Sequence, residues 1–372
     1  MSFITNIRSV AKYESKILVR SWFFRIFTLL AVVFLGFFNF AMMLMEDNFG
    51  LWFAKSVSSN IPYLNLLLLN TGQAVVAVFL SSEFLKRDKK LDTSEVFYVR
   101  PLSNAEYVVG KIWGNLRVFL FLNLLVLAIV LAFNFMASGV TVDLPAYLVY
   151  FFLISIPTLI FIIGLSIFLM LLLKNQALTF ILLLGYIGLT LFYIQDKFYY
   201  LFDYMVYNLP LFKSTIVGFS NLELILNHRA IYFFAGLGFI FFTIFLFKRL
   251  PNARRSHYPW LFLSFCMFLL MVTAGFRHVR SILREGEMRA LYTSINNKYV
   301  YEPKMAIDYY DISVEQKSET IRSVVGMEGT ALAASEVFIF CLNPGLRVEE
   351  VKDGEKSLNF KREEQILAVD FG

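Results

Sequence analysis

Charge is scarce in this chain, because only 17% of its 372 residues are Asp, Glu, Lys or Arg, against about 25% in soluble domains. The shortage accompanies a hydrophobic content of 58%, including 42 Phe. A water-shielded core cannot take up so many apolar side chains, so a large part of them must face lipid. The composition excludes an ordinary soluble enzyme and predicts an integral membrane protein.

Cysteine and histidine are also scarce. Cys266 in an apolar run and Cys341 in a strand-like run provide neither a disulfide framework nor a thiolate zinc site. The three histidines are scattered, at His228, His257 and His278, and form no HExxH motif. The stretch that ends in Gly110-Lys111 lacks the first glycine and the Ser or Thr of a phosphate-binding loop. We therefore expect the chain to bind no cofactor and no metal, and to hydrolyse neither peptides nor ATP by itself.

Apolar runs are the dominant pattern, and seven are long enough for a membrane crossing, which needs about 20 residues. They lie at 24–45, 61–85, 113–136, 146–173, 176–195, 230–247 and 258–276. Period-two apolar patterns begin near Tyr299, and Asp353-Gly354 is typical of a hairpin turn. The predicted fold class is an α-helical membrane protein with about seven transmembrane helices, followed by a partial extracytoplasmic antiparallel β domain.

The distribution of charge predicts the orientation. Residues 1–276 carry a net charge of +9 and residues 277–372 carry −3. With a cytoplasmic N-terminus, sixteen Lys and Arg fall on the inside and four on the outside, namely Lys55, Lys197, Lys213 and Arg229. Because Lys and Arg favour cytoplasmic loops, this bias predicts a cytoplasmic N-terminus and an extracytoplasmic C-terminal region. It also favours the lipid bilayer over nucleic acid as the partner of the basic residues.

Three segments outside the apolar runs have a pattern of their own. Residues 1–22, with a basic residue every four positions from Arg8 to Arg20, predict an amphipathic helix on the cytoplasmic leaflet, interrupted by Glu14, or simply a charged flank that sets topology. Residues 83–111 predict a charged cytoplasmic segment in which a new helix starts at Ser103-Asn104-Ala105-Glu106. Residues 196–229 predict either a re-entrant pair, at 198–207 and 209–219, or an aromatic belt at the interface.

These features resemble the type-2 ABC exporter permeases. The resemblance covers about residues 1–250 and depends on the N-terminal interfacial helix, six spans, the charged loop between spans two and three, and the RPLS…GK sequence that enters span three. The remainder is similar to permeases fused to an extracytoplasmic gluzincin-type zinc aminopeptidase, with Tyr309-Tyr310-Asp311-Ile312-Ser313-Val314 as an opening strand of its β domain. The catalytic part of that family has no counterpart here, so we expect the N-terminal part only.

The resemblance implies a bacterial inner-membrane permease subunit of an ATP-driven exporter, powered by a separate ABC ATPase subunit and working as a homodimer or with a sister permease. It implies an interfacial helix at 1–22, a six-span permease domain at 23–250, a seventh span and helical linker at 251–298, and a partial β domain at 299–372. The expected ATPase-coupling residues are Arg87, Lys89, Lys90, Phe97 and Arg100. An anchor for an extracytoplasmic zinc aminopeptidase is the alternative, and a seven-span receptor is a third class.

Polar residues in the spans are costly in lipid and mark places of interest. Asn65 and Gln73 are eight positions apart and lie on nearly one helical face, while Asn115 and Arg117 belong to the next span. We consider these four to be candidate cavity-lining residues. Interhelical hydrogen bonding is the simpler explanation for each of them taken singly.

Overall fold

The computed structural model describes residues 3–44, 57–82, 102–136, 142–194, 196–209, 211, 213–214, 218–219, 221–247, 258–317 and 320–372. Seven of its helices are long and apolar enough to cross a membrane, and small antiparallel sheets follow them. This confirms a multi-pass α-helical membrane protein with a C-terminal β region. The chain divides into two compact units, Met1–Val279 and Arg280–Gly372.

The helices run in the following order. They are α1 (Phe3–Arg20), α2 (Trp22–Leu44), α3 (Asn60–Ser82), α4 (Asn104–Met136), α5 (Leu144–Tyr150), α6 (Ile156–Leu173), α7 (Gln176–Leu189), α8 (Leu222–Leu246) and α9 (Tyr258–Lys298). A π-helical turn, Phe151–Ser155, joins α5 to α6, so that these two form one span. Spans α3 and α5–α6 are the most buried within the bundle, whereas α2 and α9 are peripheral.

Two helix starts differ from the hydropathy pattern. The predicted start of α4 is confirmed by a capping box, in which the Ser103 N–H donates to the Glu106 carboxylate at 2.6 Å and the Ser103 hydroxyl accepts from the Glu106 N–H at 3.1 Å. That helix then continues without a break through the span that hydropathy alone begins at residue 113. Helix α8 begins at Leu222, so Arg229 lies buried inside it. Counting Arg229 among the outside loop residues was therefore wrong.

Backbone contact between α6 and α8 holds the centre of the bundle. A Cβ atom on Gly164 would lie 2.6 Å from the Gly236 carbonyl oxygen, and one on Gly236 would lie 2.7 Å from that of Ile160. Lipid provides no hydrophobic drive for helix association, so close packing at small residues is a main source of stability. The glycines bring the two helix axes close enough for neighbouring side chains to interdigitate.

The aromatic segment before α8 has an irregular backbone in its described residues. Its described residues between 196 and 219 fold into a 3₁₀ turn at Phe198–Tyr200, further turns, and a short ladder that pairs β1 (Lys213–Ser214) with β2 (Gly218–Phe219). Tyr204, Met205 and Val206 are almost completely buried. These residues are therefore irregular backbone packed into the bundle, and the choice between a re-entrant pair and an aromatic belt stays a prediction.

The second unit contains the β region. Its strands are β3 (Met305–Lys317), β4 (Thr320–Ala331), β5 (Val337–Cys341), β6 (Lys352–Asp353), β7 (Lys356–Ser357), β8 (Asn359–Glu363) and β9 (Ile366–Asp370). Strands β3 and β4 form an antiparallel ribbon, and a three-stranded sheet has the order β5-β9-β8. The predicted turn at Asp353-Gly354 is confirmed between β6 and β7, with Gly354 at φ 58°.

Two small apolar clusters stabilise the second unit. Ile295 of α9 packs with Ile339 and Ile366 of the three-stranded sheet. The second cluster is Leu358, Leu367 and Val369, against which Val348 and Val351 pack. Residues 348–351 have no strand pairing and contribute only their side chains to this cluster.

Candidate functional site

Helix α1 lies directly against the first turns of α4. A Cβ atom on Gly110 would lie 2.7 Å from Val10 Cβ, and one on Gly114 would lie 2.8 Å from the Ala11 carbonyl oxygen. The Ser15 hydroxyl donates to the Gly114 carbonyl at 2.6 Å. The two glycines thus allow backbone contact between α1 and α4, which gives Gly110 a packing role in place of a phosphate-binding one.

A buried ion pair stabilises the contact between α1 and α4. Glu14 and Lys111 form an ion pair at 3.1 Å, with side chains only 4% and 1% exposed. The Lys111 ammonium also lies 5.0 Å from the centre of the Tyr107 ring. A buried pair of this kind is costly to break from one side, because the remaining charge stays desolvated. Glu14, which interrupts the apolar pattern of α1 in the sequence, is therefore one of the residues that bind α1 to α4.

Arg117, one of the four candidate cavity residues, belongs to the same joint. Its guanidinium donates to the Ala11 carbonyl at 2.8 Å and to the Ser15 hydroxyl. At the start of α4, the Asn6 amide donates to the Glu106 carboxylate at 2.8 Å. We call these contacts, together with the Glu14–Lys111 pair, the α1–α4 joint. They extend from Asn6 to Ser15 of α1 and fasten this helix to the first half of α4.

The charged side chains exposed on α1 are all cationic. Its only acidic residue, Glu14, is turned inward, and the exposed side chains include Arg8, Lys12, Lys16 and Arg20. Trp22, 76% exposed, and Tyr13 lie beside them. Cations mixed with aromatic residues are typical of a helix at a membrane interface. The amphipathic pattern predicted for residues 1–22 is thus present on the folded helix.

The predicted coupling residues Arg87, Lys89, Lys90, Phe97 and Arg100 lie outside the described residues. The structure describes the ends on either side of them, Ser82 at the end of α3 and Leu102 just before α4. The coupling role of these five residues stays a prediction.

A buried amide network occupies the middle of the bundle. The Asn123 amide donates to the Gln73 side-chain oxygen at 2.7 Å, and the Asn123 oxygen accepts from Asn70 at 3.0 Å and from Ser155 at 2.9 Å. All four side chains have essentially no exposed surface. The network links α3, α4 and the π-helical turn, so Gln73 is engaged in interhelical hydrogen bonds.

The other candidate cavity residues are placed as follows. Asn65 pairs reciprocally with Asn39 of α2, at 2.7 and 3.1 Å, which ties this peripheral helix to the bundle. Asn115 is 7% exposed on α4. Asn65 and Gln73 therefore fulfil the simpler expectation of interhelical hydrogen bonding, and a transport cavity lined by the four residues stays a prediction.

Arg229 anchors the opposite end of the bundle. Its Nε donates to the Leu153 carbonyl at 2.6 Å, and its two terminal nitrogens donate to the Tyr204 carbonyl and the Thr158 hydroxyl, each at 2.8 Å. In a regular α-helix, the Leu153 carbonyl would accept from the N–H of residue 157. That residue is Pro157, which has no N–H. Arg229 replaces the missing donor and joins the π-helical turn to α8.

The irregular segment at this end, which we call the cap segment (described residues from Asp196 to Ser214), obtains its hydrogen bonds from helix side chains. Tyr63 donates to the Val206 carbonyl at 3.2 Å, and Tyr150 donates to the Leu211 carbonyl at 2.6 Å. Non-helical backbone inside a membrane bundle is stable only when protein satisfies it in this way. The hydroxyl groups of Tyr63 and Tyr150 thus satisfy backbone carbonyls of the cap segment.

Asp203 is the buried carboxylate of the cap segment. Burial raises the pKa of the Asp203 carboxyl, while the Asn208 backbone N–H, which donates to it at 2.9 Å, and the Arg229 guanidinium act in the opposite direction. Burial is the largest of these effects, so it favours the neutral form of the Asp203 carboxyl.

Comparison with known proteins gives no assignment. No protein-family model matches the chain, and no curated protein is found to be similar to it. Among the described residues, no three His, Cys, Asp or Glu side chains come together as a metal cluster.

Sequence reasoning identified several residues of these sites but did not identify which residues contact each other. Glu14 was visible as a break in an apolar stripe, and Lys111 as a cation just before a span, but their pairing is separated by 97 positions along the chain. Pro157 inside an apolar run was the one local signal for the helix irregularity that Arg229 repairs.

Proposed function

We propose that this chain is the membrane-spanning permease subunit of an ATP-driven exporter, powered by a separate ATPase subunit. The observation that carries the proposal is the α1–α4 joint. It fastens a cationic, aromatic interfacial helix to a 33-residue helix that crosses the bundle. A force applied at the α1 end of this joint is transmitted along α4 to the buried amides at its centre.

The order of the helices indicates how movement of an ATPase would reach the bundle. Residues 83–101 connect α3 to α4, and both helices contribute to the amide network through Gln73 and Asn123. An ATPase that moves this connection would shift α3 and α4 relative to each other and rearrange their shared hydrogen bonds. The chain itself performs no chemistry in this proposal, and it pairs with a second copy or a sister permease.

The orientation belongs to the proposal as well. A cytoplasmic N-terminus and an extracytoplasmic β region are supported by the excess of Lys and Arg in the loops on the α1 side of the bundle. A bacterial inner membrane is what the resemblance to exporter permeases implies. Burial inside a helix removes Arg229 from the outside count and Lys111 from the inside count, which leaves fifteen Lys and Arg inside and three outside.

The proposal is tested by co-purification from the native host in a mild detergent. We expect an ATPase subunit to accompany the chain and to hydrolyse ATP in a vanadate-sensitive manner. Reversal of charge at Arg87, Lys89 and Lys90 together, or Phe97→Ala, should weaken that association while the chain still inserts into the membrane. A charge-matched control reverses Arg280, Arg284 and Arg289, which are exposed on α9, and should leave the association intact.

A chain that purifies without any ATPase, and whose expression gives membrane vesicles no ATP-dependent transport, would refute the proposal. If both coupling variants retain the ATPase and hydrolyse ATP normally, residues 83–101 have no coupling role. That outcome would not refute the permease proposal itself. Release of amino acids from peptide substrates by the purified chain would favour the peptidase-anchor alternative.

A further inference from the structure

The ribbon of β3 and β4 has no second layer in the described part of the chain. Its strands of 13 and 12 residues pair with each other and with no further described strand. All of their residues are exposed except the first three of β3, which are half-buried. A pair of strands is only marginally stable in water unless a further strand or a helix covers its apolar face. The ribbon therefore presents a surface that needs a partner.

The register of the ribbon assigns its residues to two faces. Past the bulge that follows Ile307, Ile312 pairs directly with Val325, and Ser313 pairs with Val324. Directly paired residues point to the same face, and successive residues along a strand alternate between the faces. One face, which we call the apolar face of the ribbon, therefore holds Tyr310, Ile312, Val314, Ile321, Val325 and Met327, together with the uncharged Gln316 and Ser323.

The opposite face of the ribbon carries charge. Beyond the bulge its charged residues are Asp311, Glu315, Lys317, Arg322 and Glu328, which sum to −1. An antiparallel sheet with one apolar and one charged face is typically packed on its apolar side. The three-stranded sheet of the same unit follows this rule, because Phe338, Ile366 and Val369 are buried there. Exposure of the apolar residues is therefore particular to the ribbon.

We propose that the apolar face of the ribbon is a surface through which two copies of this chain pair. The proposal rests on the second copy in the proposed function, and it names the surface on which the two copies meet. A two-fold interface uses the same patch on both copies. Because the apolar face carries no charge, it can meet its own copy without repulsion between like charges and without burying an unpaired charge.

The size of the apolar face fits a contact between two copies. Its six apolar side chains are between 42% and 57% exposed. With roughly 150–200 Å² for each whole side chain, about 500 Å² can be buried on each copy and about 1,000 Å² in the pair, which is the area that a specific interface requires. Two copies in one bilayer with the same orientation also hold their ribbons at the same height, and their common anchoring raises the effective concentration of one ribbon for the other.

Charge favours a second copy over a lipid surface as the occupant of the apolar face. Elements that lie on a membrane surface combine apolar residues with an excess of Lys and Arg. The apolar face has neither cation, and the opposite face has a net charge of −1. When two sheets stack face to face, about 10 Å apart, both charged faces point to water. A second copy thus covers the apolar face without burying any charge of the ribbon.

The test places single cysteines on the two faces of the full chain in native membranes. Cys266→Ala with Cys341→Ser provides a cysteine-free background. Val325→Cys lies in the middle of the apolar face, and Val324→Cys, the next residue of the same strand, is the matched control on the charged face. Val324 is 71% exposed and Val325 is 42% exposed, so random collision favours the control. With a short bismaleimide, we expect about tenfold or more crosslinked dimer from Val325→Cys, because paired ribbons hold these two positions opposite each other.

A second substitution in the Val325→Cys chain checks that the apolar face makes the contact. Ile312→Lys, which places a charge on that face, should abolish the crosslink, whereas Ser313→Lys on the charged face should leave it unchanged.

The proposal is overturned if Val325→Cys gives no dimer, or if Val324→Cys gives as much. A crosslinked product of another mass, which shows a different protein on the face, also overturns it, as does quenching of a bimane label on the Val325→Cys chain by nitroxide lipids. Co-purification of an ATPase separates this result from the proposed function. A chain that retains an ATPase but gives no crosslink loses only the ribbon contact, whereas a crosslinked dimer without an ATPase supports the contact and counts against the permease.

Discussion

Removal of one partner of the Glu14–Lys111 pair should release α1 from the bundle. The pair is 3.1 Å apart with side chains at most 4% exposed, and the loss of one member of such a pair costs about 3–5 kcal/mol. Since about 1.4 kcal/mol is a factor of ten, Glu14→Leu should raise the undocked fraction of α1 by a factor of about 100 to several thousand.

The matched variant removes both charges. In Glu14→Leu with Lys111→Met, no charge is left without a partner, and the replacements are similar to the original side chains in length. Exchange of a buried pair for apolar residues is often neutral or stabilising. We therefore expect the double variant to dock α1 nearly as well as the wild type, although each single variant does not.

Limited trypsin digestion in detergent measures this difference, because the exposed Arg8, Lys12, Lys16 and Arg20 provide cleavage sites along α1. Cleavage tracks the open population when reclosing is fast. It should therefore be accelerated about 100-fold or more in each single variant and little in the double variant. Single variants cleaved at the wild-type rate, or a double variant cleaved as fast as the singles, would refute the reasoning.

Three further predictions concern packing and hydrogen bonding. Gly114→Ala should displace α1 and lower the melting temperature, because its Cβ would lie 2.8 Å from the Ala11 carbonyl oxygen. The control Gly185→Ala has nothing within 4 Å of its Cβ and should leave the free energy of unfolding unchanged or raise it by about 0.5–1 kcal/mol. Arg229→Met should lower the free energy of unfolding by about 3 kcal/mol or more, because it leaves the Leu153 carbonyl without this donor and the Tyr204 carbonyl with the Thr158 hydroxyl alone. Arg277→Met, at an exposed pair, should have little effect in the same melting assay. Asn123→Ala should lower the free energy of unfolding by about 2 kcal/mol or more, since Gln73, Asn70 and Ser155 all lose a partner. The control Leu124→Ala, at an outward-facing residue, should unfold at a temperature close to that of the wild type.

The sequence by itself determined the features that depend on neighbouring residues. Apolar runs of sufficient length located the seven candidate spans found among the described residues, because burial of helix backbone in lipid leaves almost no alternative structure. Ser103 and Glu106 located the start of α4, since a capping box is formed within one turn. Gly354 located the β6–β7 turn, because glycine adopts positive φ without steric cost.

Tertiary structure decided which distant residues meet. Glu14 was visible as a break in the apolar face of α1, but only the close approach at Gly110 and Gly114 brings Lys111 to it. Arg229 had the appearance of a loop cation until α8 began at Leu222 and aimed it at the carbonyl left free by Pro157. His228 and His278 were scattered along the chain, and their shared contact with the cap segment exists only because α8 and α9 pack side by side. Such pairings depend on helix packing, which the local periodicity of a sequence does not specify.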